Sequence, residues 1–315
     1  MAREIKKSDI KKARRILKKM PLAVSIILVV LVVAYFVLEH FGFSIWSLIY
    51  KREPVDGQVT VHVIDIGQGD SILIETPTGL MLIDTGESDE EDALRQYLRK
   101  MGINTLSYLV LTHAHADHVG GADMILEEFK VENIIYDNYN NSYGKKDFEE
   151  LVRLINAEGA NIIDPKQGEK FKMGDAEFTV LYATDDSEDL GDDVNDYSIV
   201  LRLDYGESSF VFTGDATTSV EADIVETFSR FELDCDFLKS GHHGSTTSSG
   251  KKFIDALTPE TVAISCGAGN RYGHPHEAVL ETYKKANSKV YRTDLSGSLV
   301  FVSDGTTITY TEAGR

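Results

Sequence analysis

His113-Ala114-His115-Ala116-Asp117-His118 is the stretch of this sequence that determines the fold and the chemistry. It follows the apolar residues 106–112, which predict a buried strand, and it leads into a Gly120-Gly121 turn. Imidazole and carboxylate groups are the usual ligands of catalytic divalent metal ions. Because alternate side chains of an extended segment point the same way, His113 and His115 can share one ion. Asp117 and His118, on the tighter turn, can then face a second ion.

Two further aspartates and a histidine pair extend this pattern along the chain. Asp84 ends an early predicted strand, Asp215 ends a later one, and His242-His243 lies in a loop rich in Gly, Ser and Thr. Together with the His-rich stretch, these residues resemble the metallo-β-lactamase superfamily. The resemblance implies a metal pair bridged by Asp215. The implied metal ligands are His113, His115, Asp117, His118, Asp215 and His242. Either His242 or His243 could be the last ligand; the resemblance favours His242, and His243 would then support a ligand from behind or contact substrate.

The chain departs from the superfamily pattern at one position. Many members have another histidine between the His-rich stretch and the bridging aspartate, whereas this sequence has none between residues 119 and 241. At the corresponding place it has Asn195-Asp196-Tyr197-Ser198. The resemblance therefore implies a first metal site that is weaker or richer in oxygen ligands, which would favour Mn²⁺ over Zn²⁺ there. We expect one or two divalent ions, Zn²⁺ or Mn²⁺, as the cofactor.

Three more motifs narrow the resemblance. They are Asp65-Ile66-Gly67-Gln68-Gly69-Asp70-Ser71, His242-His243-Gly244-Ser245 and Asn270-Arg271-Tyr272-Gly273-His274-Pro275. With the Asn195 segment, they resemble the metallo-β-lactamase-like domain of ComEC, the competence channel that takes up DNA, over residues 58–311. The resemblance implies a hydrolase of nucleic acid that works outside the membrane, with a DNA-uptake channel as a possible partner.

The same motifs supply candidates for catalysis and substrate binding. Asp117 and Asp84 are the candidate catalytic carboxylates, Asp84 by orienting a ligand imidazole or the attacking water. His274 could give a proton or a hydrogen bond to the scissile phosphate, or be an ordinary loop histidine. The candidate substrate contacts are His243, Ser245, Asn195, Asp70, Asn270 and Tyr272. The Ser245 loop could equally cap a helix, and Asp70 could equally form part of a hairpin turn.

Hydropathy patterns outside the motifs predict strands interspersed with helices. The main predicted strands cover residues 58–66, 71–76, 80–84, 106–112, 176–183, 197–205 and 208–213. The main predicted helices cover residues 89–101, 122–129, 146–157, 217–231 and 277–286. Strand-rich halves of this kind favour two sheets packed face to face with helices outside, an αββα sandwich of the α/β class. With two cysteines in the chain, a disulfide framework is excluded.

Charge is unevenly distributed over the 315 residues. Residues 1–52 hold 11 Lys and Arg against 3 Asp and Glu, whereas the remainder holds 21 against 48, a net charge of −27. This acidic balance counts against a polyanionic substrate. The bases expected near the mouth of the site are Lys239, Lys251, Lys252 and Arg271.

The N-terminal segment predicts a membrane anchor. Residues 22–38 are apolar and uncharged, and eight Lys and Arg between residues 6 and 19 precede them. The positive-inside rule then places the N-terminus in the cytoplasm and the catalytic domain outside the cell. The expected order is a basic segment (1–20), a single-pass transmembrane anchor (21–50), a linker (51–57) and the hydrolase domain (58–315). A cleaved signal peptide and a buried core helix are the alternatives.

Three functions are compatible with these features. The first is a membrane-anchored extracellular phosphodiesterase that cleaves DNA with a metal-activated water. The second is a metallohydrolase of a small envelope phosphodiester, a lactone or a β-lactam. The third is a non-catalytic metal-binding module, which the complete ligand set disfavours. The single tryptophan, Trp46, lies in the predicted anchor, so no tryptophan can stack on a nucleic acid in the outer domain.

Overall fold

The computed structural model describes residues 56–136, 145–184 and 193–312, together with residues 24, 26, 27, 29, 30 and 33. The chain divides into two units, Met1–Lys51 and Arg52–Arg315. The six described residues of the first unit are helical and exposed. Among the described residues, no helix is both long and apolar enough to cross a membrane. The predicted basic segment, the rest of the predicted anchor and most of the linker lie outside the described residues.

Strands make up most of the second unit. Their bounds are β1 (Val59–Val63), β2 (Ile72–Glu75), β3 (Leu80–Ile83), β4 (Thr105–Leu111), β5 (Lys130–Tyr136), β6 (Asn161–Ile163), β7 (Lys170–Met173), β8 (Ala176–Tyr182), β9 (Val200–Tyr205), β10 (Ser208–Phe212), β11 (Phe237–Lys239), β12 (Thr261–Ile264), β13 (Lys289–Arg292), β14 (Leu299–Ser303) and β15 (Ile308–Glu312). The helices are α1 (Glu91–Lys100), α2 (Ala116–Val119), α3 (Ala122–Glu128), α4 (Lys145–Glu158), α5 (Thr218–Thr227), α6 (Arg230–Leu233), α7 (Lys251–Leu257), α8 (Glu277–Lys285) and α9 (Thr293–Ser296). Short 3₁₀ turns cover Ser88–Glu90, Val194–Tyr197 and Gly241–Gly244.

Two mixed sheets form the middle of the domain. The first has the order β15-β14-β1-β2-β3-β4-β5-β6, and the second has the order β13-β12-β11-β10-β9-β8-β7. Apolar side chains from the inner faces of both sheets, such as Val61, Phe178 and Phe210, form the core between them. Helices α1, α3 and α4 cover the outer face of the first sheet, and α5, α7 and α8 cover that of the second. The predicted αββα sandwich is confirmed.

The spacing of apolar residues explains which face each element buries. In β1, Val59, Val61 and Val63 alternate with polar residues and all point into the core between the sheets. In α1, Leu94 and Leu98 lie four residues apart on one side and pack against the first sheet. Strand periodicity therefore determines the inner core, and helix periodicity determines the two outer layers.

Three predicted elements end earlier or begin later than their sequence pattern indicates. The strand predicted at residues 58–66 ends at Val63, because residues 64–70 turn towards the His-rich stretch. Gly69 makes this approach possible, since a Cβ atom there would lie 2.4 Å from the carbonyl oxygen of Asp117. The strand predicted from residue 197 begins at Val200, after a 3₁₀ turn. The helix predicted at residues 217–231 is divided, because Ser229 and Glu232 form a capping box that starts α6.

Candidate metal centre

The ends of four strands bring the predicted ligands together. Strands β3 and β4 run parallel in the first sheet, and β10 and β11 run parallel in the second. Asp84 follows β3, the His-rich stretch follows β4, Asp215 follows β10 and the His242-His243 turn follows β11. Because the carboxyl ends of parallel strands lie at one edge of a sheet, these side chains meet at a common edge of the sandwich.

One half of the site, which we call the inner cluster, consists of Asp117, His118, Asp215 and His243, and all of these side chains except that of Asp117 are buried. Nε2 of His118 lies 3.2 Å from Oδ1 of Asp215. Nε2 of His243 lies 3.3 Å from Oδ2 of Asp117 and 3.5 Å from Oδ2 of Asp215. One potential ligand atom each from Asp117, His118 and His243 fall within 4.8 Å of one another. Four residues from three loops thus converge on one small volume.

Hydrogen bonds on the far side of each imidazole determine where its proton lies. Nδ1 of His118 lies 2.7 Å from Oδ2 of Asp84, and Nδ1 of His243 lies 3.1 Å from the carbonyl oxygen of Ser265. Both oxygens accept, so each Nδ1 carries a proton, and each Nε2 is the nitrogen that would bind a metal ion once its own proton is released. Both Nε2 atoms and Oδ1 of Asp215 are buried without a hydrogen-bond partner in the described part of the chain. A divalent cation would satisfy these unpaired atoms, so the residues fit a metal ion.

The carboxylates give the inner cluster a negative potential. Burial lowers the pKa of His243, but Asp215 and Asp117 contribute to an opposing effect that raises it to about 10. Burial also lowers the pKa of His118, and Asp215 and Asp84 raise it well above its usual value. Burial raises the pKa of Asp215, but His118 and His243 hold it well below its usual range. Protons on the imidazoles therefore balance the same negative charge that a divalent ion would balance.

Asp84 supports the cluster from behind. Its side chain is fully buried and accepts hydrogen bonds from the backbone N–H of Thr112 at 2.8 Å and from its hydroxyl at 2.7 Å. Asp84 also contacts Nδ1 of His118, so it is placed to orient an imidazole, which is one of the two roles expected for it. Because the Thr112 hydroxyl donates to Asp84, it accepts from Nδ1 of His113 at 3.1 Å. Nε2 of His113 therefore also offers a lone pair.

The other half of the site, the outer cluster, consists of His113, His115 and His242 around Asp215. Nε2 of His113 lies 3.0 Å from Nδ1 of His115 and 4.0 Å from Oδ2 of Asp215. Nε2 of His242 lies 3.5 Å from the same oxygen. Within the described residues, the groups of three ligand atoms that lie within 4.8 Å include neither His115 nor His242. The outer cluster is therefore the less compact position for a metal ion.

The two histidines of the turn differ from the expected assignment. His243 is the deeper residue, with a side chain 1% exposed against 22% for His242, and its Nε2 lies 3.3 Å from Oδ2 of Asp117. Both residues have left-handed backbones, with φ of 47° and 54°. This conformation is costly for residues other than glycine and turns two consecutive imidazoles towards Asp215. The geometry thus favours His243 over His242 as the ligand beside Asp117, and it places His242 at the cleft.

Asp70 and Lys239 do not lie at the mouth of the site, where the sequence suggested them. Both are fully buried, and Nζ of Lys239 donates to Oδ2 of Asp70 at 2.6 Å and to the carbonyl oxygen of Ser240 at 2.9 Å. Burial raises the pKa of Asp70, but Lys239 and His243 lower it to about 2. Oδ1 of Asp70 lies 3.3 Å from Nδ1 of His243. Asp70 therefore lies behind a candidate ligand and is not among the residues that line the cleft.

Three other candidate substrate contacts have structural partners. The Ser245 side chain is buried and accepts hydrogen bonds from the backbone and hydroxyl of Thr247. Asn195 is buried and bonds to Asp193 through its backbone and its amide, although its Oδ1 has no partner among the described residues. The amide of Asn270 bonds to the backbone of its own loop. These contacts shape the loops around the site.

A cleft of about 360 Å³ opens over both clusters. Its walls include Gln68, Glu87, Arg271, Tyr272 and His274, and its floor includes members of both clusters. Of the predicted site residues, Tyr272 and His274 therefore do lie at the mouth. Glu87 was not predicted; it follows Asp84 in the same strand-end turn, and that position is the signal that could have identified it. Arg271 is the one expected base that lines the cleft.

His274 lies at the cleft in a form that limits its chemistry. Burial and the imidazoles of His243 and His242 lower its pKa to about 4. The ring is therefore neutral at neutral pH, which suits a hydrogen-bond donor and does not suit an acid that gives up a proton. Its Nδ1 is buried without a hydrogen-bond partner within the described ranges.

Comparisons with known proteins agree with this geometry. Residues 64–268 match the family model of the metallo-beta-lactamase superfamily. The chain is 35% identical over 278 residues to "ComE operon protein 3" of Bacillus subtilis, covering 82% of this chain and 35% of that protein. It is 34% identical to "Competence protein ComA" of Neisseria gonorrhoeae, covering 80% of this chain and 33% of that protein. The chain thus spans about a third of the length of these relatives.

Solved structures show the same fold at low sequence identity. The metallo-beta-lactamase fold protein YhfI from Bacillus subtilis superposes with a TM-score of 0.53 and 14% identity, covering 78% of this chain and 99% of YhfI. A match at this identity supports the architecture alone. With the family model, the paired clusters and the relatives taken together, the chain belongs to the metallo-β-lactamase superfamily and is related to competence proteins within it.

Proposed function

We propose that this protein is a metal-dependent phosphodiesterase that cleaves DNA. The observation that carries the proposal is the arrangement of the inner and outer clusters around Asp215, directly beneath a cleft whose wall contains Arg271. Two adjacent cation positions suit the attacking and leaving oxygens of a phosphodiester. The relatedness to competence proteins favours DNA as the polymer.

The protein's own residues hold and orient the reacting groups. The proposed ligands are Asp117, His118, Asp215 and His243 for one ion, and His113, His115 and Asp215, with His242 beside them, for the other. When bound, such ions supply an activated water and neutralise charge on the phosphoryl group. Asp84 fixes the ring orientation of His118, and the carbonyl oxygen of Ser265 fixes that of His243. Neutral His274 is placed to donate a hydrogen bond to a phosphate oxygen, and Arg271 is placed to pair with the next phosphate.

The charge distribution allows a polyanion to enter, although the domain is acidic. Lys239 is neutralised by Asp70 inside the protein, and Lys251 pairs with Asp255 on the surface. Arg271 is exposed and donates a hydrogen bond to the hydroxyl of Tyr272. Together with the bound ions, it would provide the positive charge that attracts phosphate to this one place on the surface.

Glu87 supports a second candidate function. Its carboxylate lines the cleft near Asp117, and burial together with Asp89 and Asp117 raises its pKa. A carboxylate at the entrance would repel a long polyanion more than a small ester. A hydrolase of a small envelope phosphodiester, a lactone or a β-lactam is therefore the alternative, in which the same two clusters perform the chemistry.

The test uses the purified full-length chain, made metal-free and reloaded separately with Mn²⁺ or Zn²⁺. Single- and double-stranded DNA and a small phosphodiester are offered to the wild type, to Asp117→Asn and to the surface control Asp255→Asn. Metal-dependent DNA cleavage that is lost in Asp117→Asn and kept in Asp255→Asn would support the nuclease. Turnover of the small ester without DNA cleavage would leave the alternative. A chain that binds metal and cleaves nothing would indicate a non-catalytic module.

We further propose that the N-terminal segment anchors the domain at the outer surface of the cell membrane. The basic residues before the apolar run at 22–38 support this topology. The chain covers about a third of the length of the related competence proteins. We therefore propose a DNA-uptake channel as the partner of the anchored domain. Protease treatment of intact cells tests the topology: digestion of the domain without lysis would support it, and protection until lysis would contradict it.

A further inference from the structure

The wall of the cleft carries a ladder of planar side chains that leads outward from the inner cluster. The ring of His274 lies 6.2 Å from that of His243 at an interplanar angle of 29°. The ring of Tyr272 lies 5.5 Å from that of His274 at 21°. The guanidinium of Arg271 lies 4.8 Å over the Tyr272 ring and donates to its hydroxyl at 2.6 Å. Three successively stacked rings, with a guanidinium over the last one, therefore run from a candidate ligand to the protein surface.

Hydrogen bonds within the loop hold the ladder in place. Oδ1 of Asn270 accepts from the backbone N–H groups of Tyr272 at 3.2 Å and His274 at 3.0 Å. Its amide nitrogen donates to the carbonyl oxygens of Gly267 at 2.9 Å and His274 at 2.6 Å. One side chain thus fixes the loop at both ends. The position of Tyr272 is set by backbone contacts and does not depend on burial of its ring.

Tyr272 is exposed in spite of this fixed position. Its exposed fraction is 48%, whereas Tyr283 and most other large rings of the domain are buried. An aromatic ring held rigidly in solvent at the edge of a cleft loses the apolar contact that normally stabilises it. A planar ligand that covers the ring would restore that contact.

We propose that Tyr272 is a stacking platform for an unpaired nucleobase, so that the site acts on single-stranded nucleic acid. This inference rests on the proposed phosphodiesterase function. In the ligand-free chain Arg271 covers part of the ring. A base would take its place over Tyr272, while the guanidinium turns to the phosphate that joins this nucleotide to the next one.

Charge and shape favour a nucleotide over other planar ligands. The ring is two stacking steps from His243, with the proposed phosphate position at one end of the ladder and a cation at the other. A base inside a duplex has both faces covered by its neighbours, so only an unpaired base can stack here. The cleft volume of about 360 Å³ is at the low end for small-ligand sites and suits one or two nucleotides.

The test compares two single strands of equal length and charge, one with normal bases and one with abasic residues. The metal-loaded full-length wild type is assayed beside Tyr272→Ala, Tyr272→Trp and the control Phe231→Ala, whose ring is 91% exposed outside the cleft. We expect Tyr272→Ala to raise KM on the normal strand about tenfold or more with little change in kcat. On the abasic strand, Tyr272→Ala should raise KM much less. On the normal strand, Tyr272→Trp should restore the low KM.

The outcomes separate this inference from the function on which it rests. A wild type that cleaves normal and abasic strands with the same KM would overturn the stacking platform and leave the nuclease intact. If Tyr272→Ala raised KM equally on both strands, and Tyr272→Trp did not restore the low KM, the stacking platform would also be overturned. A wild type that cleaves no DNA but turns over a small phosphodiester would overturn the nuclease and, with it, this inference.

Discussion

The inner cluster and the cleft wall around Tyr272 hold their side chains by opposite means. In the inner cluster, the ligand atoms are buried, and each imidazole is fixed from behind by a carboxylate or a carbonyl oxygen. In the wall, the rings are partly exposed, and one asparagine fixes the loop through its backbone. The buried region can tolerate almost no change of residue, whereas the wall can change its side chains without disturbing the loop.

This difference suggests a division of work. Strand ends are rigid and lie close together, so they suit groups that must hold a cation in fixed geometry. A loop fixed by its backbone leaves its side chains free to select a ligand. We therefore expect changes in the inner cluster to abolish metal binding, and changes in the wall to alter affinity for substrate while metal binding persists.

The largest expected effect distinguishes the two neighbouring histidines. His243→Ala removes the imidazole that lies 3.3 Å from Asp117, so metal content should fall and kcat should drop more than about 100-fold. His242→Ala removes the more exposed ring. This variant should keep at least one ion per chain, and its kcat should drop less. Metal content by mass spectrometry, together with kinetics, measures both. Greater metal loss in His242→Ala would reverse the assignment and restore the one that the sequence suggested.

The buried pair of Asp70 and Lys239 should dominate the stability of the inner region. Lys239→Met leaves a buried carboxylate without its partner, which should cost about 3–5 kcal/mol in the free energy of unfolding. The double variant Lys239→Met with Asp70→Asn should recover part of this loss. Urea unfolding of the metal-free chain measures it, with Lys251→Met as the exposed control, expected to cost less than about 1 kcal/mol. Equal stability of the single and double variants would show that the pair does not act as one unit.

The sequence allowed prediction of the sandwich and of the ligand types, because both depend on local patterns. The alternation of Val59, Val61 and Val63 predicts a strand, and the His-rich stretch predicts metal ligands. Each prediction uses only residues that are close together in the sequence. The choice between His242 and His243 depends on two left-handed φ angles and on the distance to Asp117, which no spacing reveals. The sequence is compatible with Asp70 as a residue of the mouth or of a hairpin turn, and it could not indicate a buried pair, because the partner Lys239 is 169 positions away in the chain.

Acidification should weaken metal binding at the inner cluster. The raised pKa values of His118 and His243, the latter about 10, mean that both rings carry protons at neutral pH in the metal-free chain. A metal ion must displace these protons, so affinity should rise with pH by about tenfold per unit for each proton released. Titration calorimetry with Mn²⁺ between pH 6 and 9, in buffers of different ionisation enthalpy, measures the metal affinity and the number of protons released. An affinity independent of pH would mean that the rings are already neutral.

The smallest expected effect belongs to the wall and tests whether it contacts phosphate. Arg271→Ala should raise KM for single-stranded DNA and reduce the slope of log affinity against log salt by about 0.7, because one phosphate contact is lost. Metal content and kcat should stay near wild type, and in the surface control Arg230→Ala all four quantities, KM, salt slope, metal content and kcat, should stay near wild type. If the slope stays unchanged while Tyr272→Ala still raises KM, the wall binds bases alone. Phosphate recognition would then belong entirely to the two clusters, and the division between a region that holds the cation and a region that selects the ligand would be sharper than proposed.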